Sequence, residues 1–83
     1  MNKVLVNVYI PILNRAYDVF IPLQSQIFEV TELIKHAVTE LSEGQFMASR
    51  DTVLARKATG EILDVNSTVF EMEIGNGTKL MLI

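Results

Sequence analysis

The chain has no cysteine and no tryptophan, only two prolines and one histidine. Without cysteine there is no disulfide framework, no thiolate metal site and no thiol nucleophile. A reducing compartment suits such a chain, and a cytoplasmic location is expected. Basic residues are also scarce: seven Lys and Arg stand against ten Asp and Glu, for a net charge of −3, and only Arg56-Lys57 are adjacent. Phosphate backbones are bound by clustered Lys and Arg, so a nucleic-acid partner is not expected. No apolar run approaches the roughly 20 residues of a membrane span. The start, Met-Asn-Lys-Val-Leu-Val, lacks the layout of a signal peptide, so direct membrane insertion is not expected either.

What the chain has in quantity is apolar residues. They make up 49% of 83 positions, with a mean hydropathy of +0.31. A chain of this length forms one domain, residues 1–83, with one modest core. Apolar residues in that excess mean either an unusually efficient core or apolar surface kept outside for a partner.

Val4, Val6, Val8 and Ile10 alternate with Lys3, Leu5, Asn7 and Tyr9, which predicts a strand. Pro11 to Arg15 make a turn, and Tyr17, Val19 and Ile21 mark a second strand that ends before Pro22. Ile27, Val30, Leu33, Ile34, Ala37, Val38 and Leu41 recur at helical spacing. Ser25 or Gln26 is the expected cap, Glu29 suits the helix N-terminus, and Gly44 supplies a left-handed residue past the end. Phe46 or Met47 should close one end of the core. Thr52–Lys57 reads as a third strand, Ile62-Leu63 as a very short fourth, and Thr78–Ile83 as a fifth. Between them, Asn66-Ser67-Thr68 can cap a single helical turn, Ile74 plugs the core and Gly75-Asn76-Gly77 turns tightly.

The order β-β-α-β-β-β predicts an α+β fold with one helix packed on one face of a mixed five-stranded sheet. The last strand is apolar on both faces, so it should lie centrally and parallel to the first, giving the order 2-1-5-3-4. Register then turns Val4, Val6, Val8, Val19, Ile21, Val53, Ala55, Leu80 and Leu82 toward the helix. The opposite, open face collects Lys3, Leu5, Tyr9, Phe20, Leu54, Arg56, Lys79, Met81 and Ile83. Leu5, Phe20, Leu54 and Met81 are expected to form one apolar band across four strands.

This layout resembles the ubiquitin-like β-grasp. The resemblance covers nearly the whole chain: Thr52-Val53-Leu54-Ala55, a turn at Gly60, Ile62-Leu63, then Val69, Phe70-Glu71-Met72, Ile74 and Thr78-Lys79-Leu80-Met81-Leu82 follow at ubiquitin-like spacing. The short Met-start strand, Tyr17-Asp18-Val19-x-Ile21 and Ile74-Gly75-Asn76-Gly77-x-Lys79-Leu80 look most like the small YukD/EsaB-type ubiquitin-like proteins of Gram-positive type VII secretion. The first loop is longer than that group implies. The resemblance implies an accessory, non-catalytic interaction module. Modifiers and sulfur carriers of the superfamily act through a C-terminal diglycine tail. The sequence stops at Ile83 with neither glycine, so carrier chemistry is the disfavoured alternative; a homo-oligomeric adaptor unrelated to secretion is another.

The expected contact residues are therefore Leu5, Phe20, Leu54, Arg56, Met81 and Ile83, and the expected partner is another protein, among them secretion components. No residues call for a cofactor or metal. His36 falls on the solvated side of the helix, and a lone exposed histidine without an oriented partner is ordinary surface. Glu71 and Glu73 sit in a turn without a second acidic pair, and Gly75-Asn76-Gly77 lacks the strand-loop-helix of a phosphate loop. An enzyme is not expected.

Overall fold

A computed structural model describes residues 2–83; Met1, which the resemblance places at the head of the first strand, lies outside them. Strand β1 (Lys3–Ile10) and strand β2 (Arg15–Pro22) pair antiparallel along their full lengths. Helix α1 (Ile27–Leu41) follows, then β3 (Leu54–Arg56) and β4 (Lys79–Leu82). The sheet order is β2-β1-β4-β3, with β4 parallel to β1 and antiparallel to β3.

The sheet has four strands rather than five, so the order is not 2-1-5-3-4. Ile62 makes one isolated bridge to Ala55, and Leu63 donates its N–H to the Leu54 carbonyl at 3.0 Å. The segment covers the outer edge of β3 without extending as a strand, because the Gly60 turn closes directly on Arg56 (Gly60 N–H to Arg56 carbonyl, 2.8 Å). The terminal strand is central, as its two apolar faces predict. β2 continues through Pro22, whose ring sits opposite Lys3.

The N-terminus of α1 is capped by backbone. Gln26 is the capping residue but gives no side-chain hydrogen bond. The carbonyls of Ser67 and Val65 accept from the N–H groups of Ile27 (2.8 Å) and Phe28 (3.1 Å) instead. The 65–68 loop thereby satisfies donors that every helix start leaves open. Thr68 and Glu71 form a capping box for the following turn, each side chain accepting from the other's backbone N–H. Past the helix, Gly44 adopts φ +81° and closes on Thr39.

The core lies between α1 and the sheet. It contains Val4, Val6, Val8, Ile10 and Ile21 from the hairpin, Ile27, Val30, Ile34 and Val38 from the helix, Leu54, Leu80 and Leu82 from β3 and β4, and Phe46, Leu63, Val69 and Ile74 from the connections. Phe46, not Met47, is the residue that closes the end. Helical spacing places Leu33 and Leu41 on the buried stripe, yet both are about half exposed. Thr31 takes a place on the buried face instead, its hydroxyl bound to the Ile27 carbonyl at 2.8 Å.

Candidate interaction face

The helix covers one face of the sheet and leaves the other open. On β1 the alternation is strict: Val4, Val6, Val8 and Ile10 are buried, and Leu5, Asn7 and Tyr9 are half-buried on the open side. Strand pairing then arranges the open face in rows. Phe20 lies opposite Leu5. The next row runs Asp18, Asn7, Lys79, Lys57, and the row after it Ala16, Tyr9, Met81, Ala55, Ile62. Ile83 stands beyond, paired with Val53 through two backbone bonds of 2.8 and 3.0 Å.

The expected contact residues divide accordingly. Leu5, Phe20, Met81 and Ile83 are on the open face. Leu54 and Arg56 are not. Leu54 pairs with Leu82 and is buried in the core at 2% exposure; Arg56 pairs with Leu80. Directly paired residues share a face, so β3 is one residue out of phase with its reading from sequence. Val53 and Ala55, expected on the helix side, pair instead with Ile83 and Met81 and so lie on the open side, where Ala55 is fully covered by its neighbours. Alternation along Val53 to Arg56 fits either phase, because Leu54 and Ala55 are both apolar and the arginine stem can lie on either side. Arg56 instead runs its half-buried stem along the fold. Its guanidinium donates to the Met72 carbonyl and lies 3.4 Å from the Glu61 carboxylate.

The expected continuous band is also interrupted. A polar row separates Leu5 and Phe20 from Tyr9, Met81 and Ile62. In it the Asn7 amide donates to the Asp18 carboxylate at 3.1 Å, and Lys79 and Lys57 are ladder neighbours. Like charges placed side by side repel. Lys57 turns away over the Tyr9 ring, with its ammonium 4.4 Å from the centroid, while the Tyr9 hydroxyl donates to Asn14 at 2.8 Å. Tyr9, Lys57 and Ile62 therefore belong to the face. Tyr9 was legible from the alternation of β1; Ile62 was not, because its face depends on one bridge.

Asn76 fixes the near end. Its side-chain oxygen accepts the Leu5 N–H at 2.8 Å, and the Gly77 N–H donates to the Leu5 carbonyl at 2.8 Å, with Gly77 at φ +84°. The turn thus serves as one more rung beside β1.

Concave surface exists on the flank of α1. A cavity of about 260 Å³ lies between Phe28, Thr31, Val53, Leu63 and Val65, adjoining a shallower one of about 600 Å³ that His36, Glu40, Met47 and Arg50 line. Among the described residues, no group of three His, Asp or Glu side chains is placed to hold a metal ion. No helix there is long and apolar enough to cross a membrane.

No family model matches the chain, and no curated protein matches it. Solved structures do. The ubiquitin-like domain of the Mycobacterium tuberculosis type VII secretion system protein EccD1 superposes with a TM-score of 0.80 at 17% identity, over 100% of this chain and 99% of that one. The EccD5 ubiquitin-like domain from Mycobacterium xenopi gives 0.73 at 17%, over 100% and 94%. A chain of the toluene 4-monooxygenase HD complex with the inhibitor 4-bromobenzoate gives 0.77 at 12%, over 98% and 96%. At these identities the likeness is one of fold. The chain has the ubiquitin-like α+β fold.

Proposed function

We propose that this protein is a non-catalytic ubiquitin-like component of a type VII secretion apparatus that docks on another protein through its open sheet face. The observation that carries the reading is the face itself: Phe20 and Ile83 stand 64% and 48% exposed beside Leu5, Tyr9 and Met81, around two adjacent lysines. Exposed aromatic and methionine side chains on a rigid sheet are adaptable contact residues. The secretion assignment is supported by the likeness to two EccD domains over nearly the full length of each. A partner in the cytoplasm follows from the same reading.

The likeness to a chain of an oxygenase complex favours a second reading, an adaptor of an assembly unrelated to secretion. Gene neighbourhood and reciprocal capture separate the two. Under the first reading, tagged protein retains a membrane ATPase or another secretion component, and Leu5→Asp/Met81→Asp loses it while staying folded. Retention by the double variant would sink the docking face. Retention of oxygenase subunits alone would sink the secretion assignment.

A further inference from the structure

The charges of this acidic chain are segregated between opposite sides of the fold. Three of its four lysines, Lys3, Lys57 and Lys79, lie on the open face. The acid among the rows there, Asp18, already accepts the Asn7 amide. The outward side of α1 has the opposite character. Glu29, Glu32 and Glu40 are exposed, Glu43 follows the last turn, and the helix's one lysine, Lys35, pairs with Glu32 at 3.0 Å. Leu33 and Leu41 stand 51% and 52% exposed on the same helix, with Leu33 between Glu29 and Glu40.

Lysines thus predominate on the sheet face and glutamates on the helix side, where Arg50 and His36 lie at the flank beside Glu32 and Glu40. The sheet face offers cations around Leu5, Phe20, Tyr9 and Met81. The helix offers acids around Leu33, and its 15 residues span roughly 22 Å at 1.5 Å per residue, comparable to the length of β1. From this complementarity we infer that, in the absence of a secretion partner, the occupant of the open face is the outward side of α1 from a second copy of the chain. The inference rests on the reading of the open face as a docking surface.

Helix and open face lie on opposite sides of the sheet, so the contact is heterologous. Each copy gives its helix to one neighbour and its sheet to the next, and assembly continues unless the rotation closes a ring. Charge supplies orientation, and paired patches of this kind weaken as salt screens them, over about 10 Å at 0.1 M and about 3 Å at 1 M.

The test is sedimentation of the whole chain at low salt and at about 1 M salt, where screening is nearly complete. The weight-average mass should rise above 9.3 kDa with concentration at low salt and return to it at high salt. Lys57→Glu/Lys79→Glu and Glu29→Lys/Glu40→Lys each place like charges on both sides and should each be monomeric. Mixed, they restore opposite charges at both contacts and should assemble again. All four positions are exposed, and circular dichroism verifies folding; should a variant unfold, the salt dependence of the native chain decides. A native chain monomeric at low salt, a variant that assembles alone, or a mixture that stays monomeric would each overturn the inference. If Leu5→Asp/Met81→Asp abolishes assembly while Glu29→Lys/Glu40→Lys assembles as before, the helix is excluded as occupant and the open face remains a docking surface.

Discussion

Lys57 reaches across the sheet to set its ammonium 4.4 Å from the centre of the Tyr9 ring, and so links the end of β3 to β1 over the intervening strand. The contact takes one of two neighbouring lysines off its like-charged partner and holds a flat aromatic surface beside Met81. Tyr9→Leu keeps the row apolar but removes the ring and its bond to Asn14. With about 0.5–1 kcal/mol for an exposed cation–π contact and a similar amount for the hydrogen bond, stability should fall by about 1–2 kcal/mol in urea denaturation. An unchanged midpoint would mean that the contact contributes nothing in solution.

The phase of β3 gives a sharper contrast. Leu54 is packed in the core opposite Leu82, whereas Leu5 is half-buried on the open face. Leu54→Ala should cost about 2–5 kcal/mol, as buried leucine truncations do, and Leu5→Ala less than about 1.5 kcal/mol. Equal losses from the two, or a larger loss from Leu5→Ala, would place β3 in the other register.

Arg56 is expected to matter for stability and not for docking. Arg56→Met keeps much of the apolar stem but leaves the Met72 carbonyl without its donor. A loss of about 1–3 kcal/mol is expected, with partner affinity unchanged. Affinity lost without stability would return Arg56 to the contact surface.

Tyr17 carries the reverse case. Its hydroxyl is buried without a hydrogen-bond partner, although the ring packs against the core. Tyr17→Phe removes the unsatisfied group and keeps the ring, so it should raise stability, by up to about 1–3 kcal/mol. Destabilisation on thermal or urea unfolding would show that the hydroxyl is satisfied in solution.

The strands with clear period-two alternation were read at nearly their true boundaries, because burial of one face forces that pattern on the residues. β1 runs from Lys3 to Ile10 as its valines indicate, and β4 was placed centrally from the apolar character of both its faces. Three residues of β3 could not reveal their phase: an arginine with a long aliphatic stem satisfies either side, and only pairing with β4 decides. Leu33 and Leu41 misled for a related reason. Helical spacing names the residues able to reach the core, not the width of sheet available to cover them. The open face was legible in Leu5, Phe20, Met81 and Ile83. Its division by the Asp18–Asn7–Lys79–Lys57 row required the register between strands.

The central claim, that the open sheet face is where this protein meets its partner, is tested most directly by site-specific photo-crosslinking in cells. A benzophenone side chain is placed at Met81, on the open face, or at Met47, which is 77% exposed on the far flank of the helix. Cross-linked products are then identified by mass spectrometry. The expected result is a defined protein adduct from Met81, with a type VII secretion component or with a second copy of the chain; a secretion component is not expected from Met47, which borders the helix side beside Glu32 and Glu40. A defined adduct from Met47 with none from Met81 would contradict the account.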